Sequence, residues 1–152
     1  MRSIVTLLVF LALVALAAFF GAHFQPGPWF EGLAKPSWNP PNWVFGPVWT
    51  LLYLGMAVAG WLVWKRSGEH VTPVLVVWFV QLGLNAAWSW LFFGLHRPPL
   101  ALVDILALLA CIVAFAILAR RISPAASWLF VPYALWVSFA TVLNATIWRL
   151  NP

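Results

Sequence analysis

Five stretches of roughly twenty apolar residues, each ending in a basic or proline-rich break, decide which solvent this chain can fold in. A helix of about 20 residues, rising 1.5 Å per residue, covers a hydrocarbon core of about 30 Å. Inside lipid the backbone must satisfy its own polar groups, so helices or a closed barrel are the only spanning forms. Of the 152 residues, 64% are hydrophobic and 7% charged, where a soluble domain carries about a quarter charged. The expected fold class is therefore an all-α integral membrane protein, a five-transmembrane-helix bundle forming a single domain over residues 1–152.

The first predicted helix covers 3–23. Arg2 ahead of an apolar run, with Ala17 and Ala18 near its end, resembles a secretory leader, but Ile4 to Phe20 is long enough to span. The segment Phe24 to Asn42 has prolines at 26, 28, 36, 40 and 41, and no regular helix is expected to run through it. Its rings Trp29, Phe30 and Trp38 suggest a lid or short interfacial element packed on the helix ends. The second helix is predicted over 44–64, before Lys65 and Arg66. The third, over 73–95, has Pro73 in its first turn. His96-Arg97-Pro98-Pro99 breaks the chain, and the fourth helix, 100–119, stops at Arg120 and Arg121. Ser123-Pro124 is a cap-and-proline start for the fifth, 124–148.

The net charge of +5 would suggest nucleic acid in a soluble protein. Here the basic residues sit scattered at helix ends and form no stripe, which argues against a nucleic-acid partner and for interfacial anchors against the lipid bilayer. Arg2, Lys65, Arg66, Arg120 and Arg121 share the N-terminal side, and Lys35, Arg97 and Arg149 the other; this imbalance predicts a cytoplasmic N-terminus. The lone Cys111 lies within an apolar run and reads as a small hydrophobe. Twelve tryptophans exceed what interfacial belts for five short helices need, so some are expected to hold a flat ligand.

Polar residues within the runs fall on faces. Gln81, Asn85, Trp88 and Phe92 share one helical face; Tyr133, Trp136, Ala140, Asn144 and Trp148 share another; Trp49, Tyr53, Met56, Gly60 and Trp64 share a third. The amides could bond across helices as glue. They could equally line a pocket in which Ala140 and Gly60 leave room for an apolar plane with a few polar edges. Asp104, about a turn inside the fourth helix, reads as an interfacial pair or cap. The spacings Gly83 to Ala87 and Ala17 to Gly21 allow close helix packing. Three acids, Glu31, Glu69 and Asp104, leave few actors for acid–base catalysis, and His23, His70 and His96 all lie at helix ends, with no metal-ligand spacing.

Trp29-Phe-Glu-Gly-Leu33-Ala-Lys35-Pro36-Ser-Trp38-Asn-Pro40-Pro41, followed by Trp43-Val-Phe45, Pro47-Val-Trp49-Thr50 and Tyr53, resembles the signature of the TspO/MBR family, the tryptophan-rich sensory proteins and translocator proteins. Gln81, Asn85, Trp88 and Phe92-Phe93-Gly94 match its third helix. Val131-Pro132-Tyr133, Trp136, Leu143-Asn144 and Arg149-Leu150-Asn151 match its fifth. The resemblance implies a five-helix bundle, usually a homodimer, with a pocket under the first loop for porphyrins such as protoporphyrin IX and for synthetic isoquinoline carboxamides and benzodiazepines. Carried over by motif, that pocket involves Trp38, Trp49, Asn85, Trp88, Tyr133, Trp136 and Asn144; the helical faces add Tyr53, Gln81 and Ala140. Some bacterial members are reported to degrade porphyrin in light, which would give Trp49 and Trp136 a catalytic part. One departure concerns sterols: after Tyr133 no basic residue follows until Arg149, so the family's cholesterol motif is not met.

The expected function is thus a membrane sensor binding protoporphyrin IX-like tetrapyrroles, in tetrapyrrole or stress regulation. The alternatives are a light-dependent porphyrin-degrading enzyme, a transporter of tetrapyrroles or lipids, or a purely structural membrane protein. No cofactor is required, and without a mid-membrane histidine a free porphyrin fits better than haem.

Overall fold

The computed structural model describes residues 2–68 and 70–152; Glu69 lies outside them, as does the side chain of Arg2. The protein is an integral multi-pass membrane protein. Its five spans are Ser3–His23, Asn42–Arg66, Pro73–Gly94, Pro98–Ala119 and Pro124–Leu150. They are built from α1 (Arg2–His23), α3 (Asn42–Arg66), α4 (Pro73–Ser89) continued by a π-helical turn (Trp90–Gly94), α5 (Pro98–Ala119), and the pair α6 (Pro124–Leu129) and α7 (Val131–Leu150). A one-turn helix, α2 (Pro28–Glu31), lies in the first loop.

The helix starts follow local chemistry. Thr72 caps α4, its Oγ1 accepting from Leu75 N at 3.4 Å, and Ser123 caps α6, accepting from Ala126 N at 3.3 Å. Pro73, Pro98 and Pro124 occupy first-turn positions, where a missing N–H costs nothing.

Several boundaries differ from the sequence reading; the fourth span, for one, starts at Pro98 and not at 100, its prolines occupying the first turn. α2 forms within the proline-rich loop because Pro28 sits at its first position, where proline is favoured. α3 begins at Asn42, after the extended Pro41, and runs through Pro47. The third span does not stay α-helical to 95: Leu95 N bonds Trp90 O at 2.8 Å, five residues back, which makes the last turn π. The fifth span is two helices parted at Phe130, because Pro132 has no N–H for the carbonyl four residues before it.

The spans close into a ring. α1 packs on α3 and α4, α4 on α5, and α5 on α7 and α6. The ring shuts between the second and fifth spans through α6, not α7. Towards the first loop, the backbones of α3 and α7 part. The main core includes Phe10, Met56, Leu75, Trp78, Ile112, Phe115 and Tyr133. Trp78 is fully buried and donates its indole N–H to Met56 O at 2.9 Å. Gly60 does not leave room for a ligand, as its place among the rings suggested. A Cβ there would lie 2.7 Å from both Phe10 and Trp78, which fill the space.

A second cluster (Phe30, Phe92, Ala101, Leu143, Ile147) ties the first loop to the helix ends. Trp29 stacks on His96 with centroids 4.2 Å apart and planes at 15°. Gly94 is pressed against Phe24, which a Cβ would approach to 2.8 Å. Asn151 pairs with the backbone of Ala34 in both senses: it accepts from Ala34 N at 3.0 Å and donates to Ala34 O at 2.9 Å. The loop is thus a packed lid, as its aromatic content predicted.

Candidate ligand site between the second and fifth spans

Where α3 and α7 diverge, long side chains bridge the interior. Asn85, on α4, accepts from the Tyr53 hydroxyl at 2.9 Å and donates to the Tyr133 hydroxyl at 2.8 Å. Tyr133 in turn donates to Gln81 Oε1 at 2.9 Å. Three spans therefore meet in one hydrogen-bonded chain, with Gln81, Asn85 and Tyr133 all buried. Trp49 rests against it, 5.4 Å from the Tyr53 ring and 6.2 Å from that of Tyr133.

A second polar link lies nearer the lid. Trp88 donates its indole N–H to Asn144 Oδ1 at 3.1 Å, and Asn144 donates to Pro98 O at 3.0 Å. Trp88 also stacks on Phe92, with centroids 5.1 Å apart and planes at 22°. Of the two alternatives left open for the amides, the structure shows cross-helix bonding: Asn85 and Asn144 are each engaged at both ends of the amide. Gln81 keeps one free donor, its buried Nε2 having no partner.

What remains for a guest is a wall of rings. Trp136 and Ala140 are half-buried on α7. Phe45, on α3, meets Trp136 edge-on at 5.8 Å. Phe139 joins Trp136 at 5.6 Å to Trp38 at 5.8 Å, and Trp38 itself is 45% exposed at the rim. The ten expected residues thus fall into three groups: Trp49, Tyr53, Gln81, Asn85 and Tyr133 around the amide chain; Trp88 with Asn144; and Trp136 and Ala140 on α7, with Trp38 reaching Phe139 from the lid. Trp148, from the same sequence stripe, is exposed near the far end of α7 and joins none of them.

Phe45 and Phe139 were not among the expected ligand-binding residues, although each lies one helical turn from a residue that was, Trp49 and Trp136. Trp78 also escaped notice, because its partner is a backbone carbonyl.

Within the first loop itself, a cleft of about 440 Å³ is lined by Phe30, Glu31, Lys35, Asn39 and the start of α3. The Lys35 ammonium donates to the carbonyls of Glu31 and Leu33, both at 3.1 Å, and lies 4.6 Å from the centre of the Phe30 ring. It has no carboxylate partner among the described residues.

Comparison with known proteins bears on this arrangement. The model of the TspO/MBR family matches residues 5–149. The chain is 44% identical to the tryptophan-rich protein TspO of Chlorobaculum tepidum, over 99% of both chains. It is 41% identical to the translocator protein of Homo sapiens, over 90% of this chain and 85% of that one. With protein CrtK of Rhodobacter capsulatus it shares 37% identity, over 99% of this chain and 95% of the other.

Proposed function

The chain belongs to the TspO/MBR family, and we propose that it is a membrane receptor for protoporphyrin IX-like tetrapyrroles, held between α3 and α7 and serving tetrapyrrole or stress regulation. The observation that carries this reading is the ring-lined parting of the two helices: Phe45 and Trp136, like Trp49 and Tyr133, touch only through ring edges. A planar guest can exchange such contacts for offset stacking at little cost. Asn85 and Asn144 are already bonded to tyrosine hydroxyls, an indole and a backbone carbonyl, so recognition falls on the rings Trp49, Trp136 and Trp38, with Ala140 giving clearance. The propionates find a cation in Lys35, whose ammonium meets two carbonyls and the Phe30 ring and has no carboxylate partner among the described residues. The histidines lie at helix ends and loops, which favours a free porphyrin over ligated haem. In this reading the N-terminus is cytoplasmic and the working unit is a homodimer.

The test is a titration of the detergent-purified protein with protoporphyrin IX, followed by tryptophan fluorescence in the dark and then by absorbance under illumination. Saturable micromolar quenching, weakened in Trp136→Phe and Trp49→Phe, is expected. Loss of the porphyrin spectrum in light, faster than for free porphyrin and slowed in the same variants, would make the protein an enzyme as well. Absence of saturable quenching sinks the porphyrin reading.

A further inference from the structure

The end of the bundle away from the lid carries Lys65, Arg66, Arg120 and Arg121; Glu69, outside the described residues, follows Arg66 in sequence. Two of these cations are engaged. Lys65 lies 5.2 Å from the centre of the Trp61 ring, and Arg66 donates to Ser123 Oγ at 3.0 Å. Arg120 and Arg121 are exposed and have no hydrogen-bond or ion-pair partner among the described residues.

Arg120 differs from Arg121 in what lies beside it. It forms the polar end of a lipid-facing groove of about 300 Å³ between α5 and the α6–α7 junction. Ala116 and Ile117 line one side, and Val131, Ala134 and Leu135 the other. The break at Phe130 offsets α6 from α7, and the small Ala116 and Ala134 leave the channel unfilled. Ser127, the other polar residue of the groove, spends its hydroxyl proton on Ala116 O at 2.6 Å. The groove thus has an apolar length and, at its mouth, a cation without a partner among the described residues.

We propose that this groove is a binding site for an anionic phospholipid of the surrounding bilayer. One acyl chain lies along Ala116, Val131 and Ala134, and the headgroup phosphate bonds the Arg120 guanidinium. The argument is charge and shape together: lipid and not water fills an apolar groove within the membrane, and a guanidinium with no partner among the described residues selects an oxyanion through two parallel N–H bonds. Basic pockets between spans on the cytoplasmic side are suited to anionic headgroups, and the Lys and Arg distribution puts this end there.

The experiment uses the full chain in detergent, with phosphatidylglycerol and phosphatidylcholine of identical acyl chains as competing probes, and counts retained lipid by native mass spectrometry. The wild type is expected to retain phosphatidylglycerol in preference. Arg120→Gln should weaken that retention about tenfold, the scale of a charge-assisted bond to phosphate. Arg121→Gln, which removes the same charge beside the groove, should change it less than twofold. Ala134→Phe, which fills the channel, should reduce retention of both lipids. A phosphatidylglycerol with a photoreactive acyl chain should label the wild type within 113–135, a readout needing no folded variant. Equal retention of the two lipids by the wild type, equal losses in the two arginine variants, or labelling elsewhere would each overturn the site.

Discussion

Asn85 joins two tyrosines from two other spans: its Oδ1 takes the proton of Tyr53, and its Nδ2 donates to Tyr133, 2.9 and 2.8 Å away. One amide of α4 thus bridges α3 and α7 where their backbones part. Asn85→Leu would leave the Tyr53 hydroxyl without its acceptor and the Tyr133 oxygen without its donor. The expected loss is about 1–2 kcal/mol, the upper range for interhelical bonds in membranes. It is read as a lowered unfolding temperature in detergent. Tyr133→Phe should cost a similar amount by a different route, since it leaves Gln81, whose Nε2 already lacks a partner, with no hydrogen bond to that hydroxyl.

Gly60 is a test of packing. Alanine there places a methyl 2.7 Å from Phe10 and Trp78, two rings wedged between α1, α3 and α4. Overpacking of this kind costs about 1–3 kcal/mol. Gly83→Ala, where a Cβ meets nothing within 4 Å, should leave the unfolding temperature unchanged. Equal effects of the two substitutions would show that the three-helix contact is looser than described.

His96 pairs a strained backbone with a useful ring. Its φ of 54° lies in the left-handed region, and its imidazole stacks on Trp29 of the lid. His96→Ala loses the stack and keeps the strain, while His96→Gly loses the stack and relieves it. The glycine variant is therefore expected to be the more stable of the two by about 1 kcal/mol. In both, amide exchange across the lid, residues 24–42, should quicken relative to the parent.

Ala140 tests the guest's clearance. Ala140→Phe narrows the half-buried stretch of α7 between Trp136 and Asn144, and should weaken protoporphyrin quenching at least tenfold while leaving the unfolding temperature nearly unchanged. Unchanged affinity in this variant and in Trp136→Phe would place the ligand somewhere other than the parting of α3 and α7.

The five spans were legible because hydrophobic runs and their breaks are one-dimensional signals, and lipid allows few alternatives. The faces were legible too: Gln81, Asn85 and Trp88 do point inward together, as do Tyr133 and Asn144. What periodicity could not supply was which inward group meets which. Asn144 finds an indole and a proline carbonyl, while Asn85 finds two phenols, and one sequence pattern permits either. Gly60 looked like vacancy because a missing side chain is visible in sequence, whereas Phe10 arriving from another helix is not. The π turn at Trp90–Gly94 escaped for a related reason: its five-residue bonding leaves no compositional mark.

The pairing of Asn151 with Ala34 joins positions 117 residues apart. Synthesis runs from the N-terminus, so the lid segment enters the membrane long before the residue that latches it exists. Until the final turn of α7 emerges, the mouth of the site has no fastening at this corner. The lid is therefore latched at this corner only once the fifth span is in place. A cargo or tag joined just after Pro152 would pull on the lid, while one joined ahead of α1 would leave the latch alone.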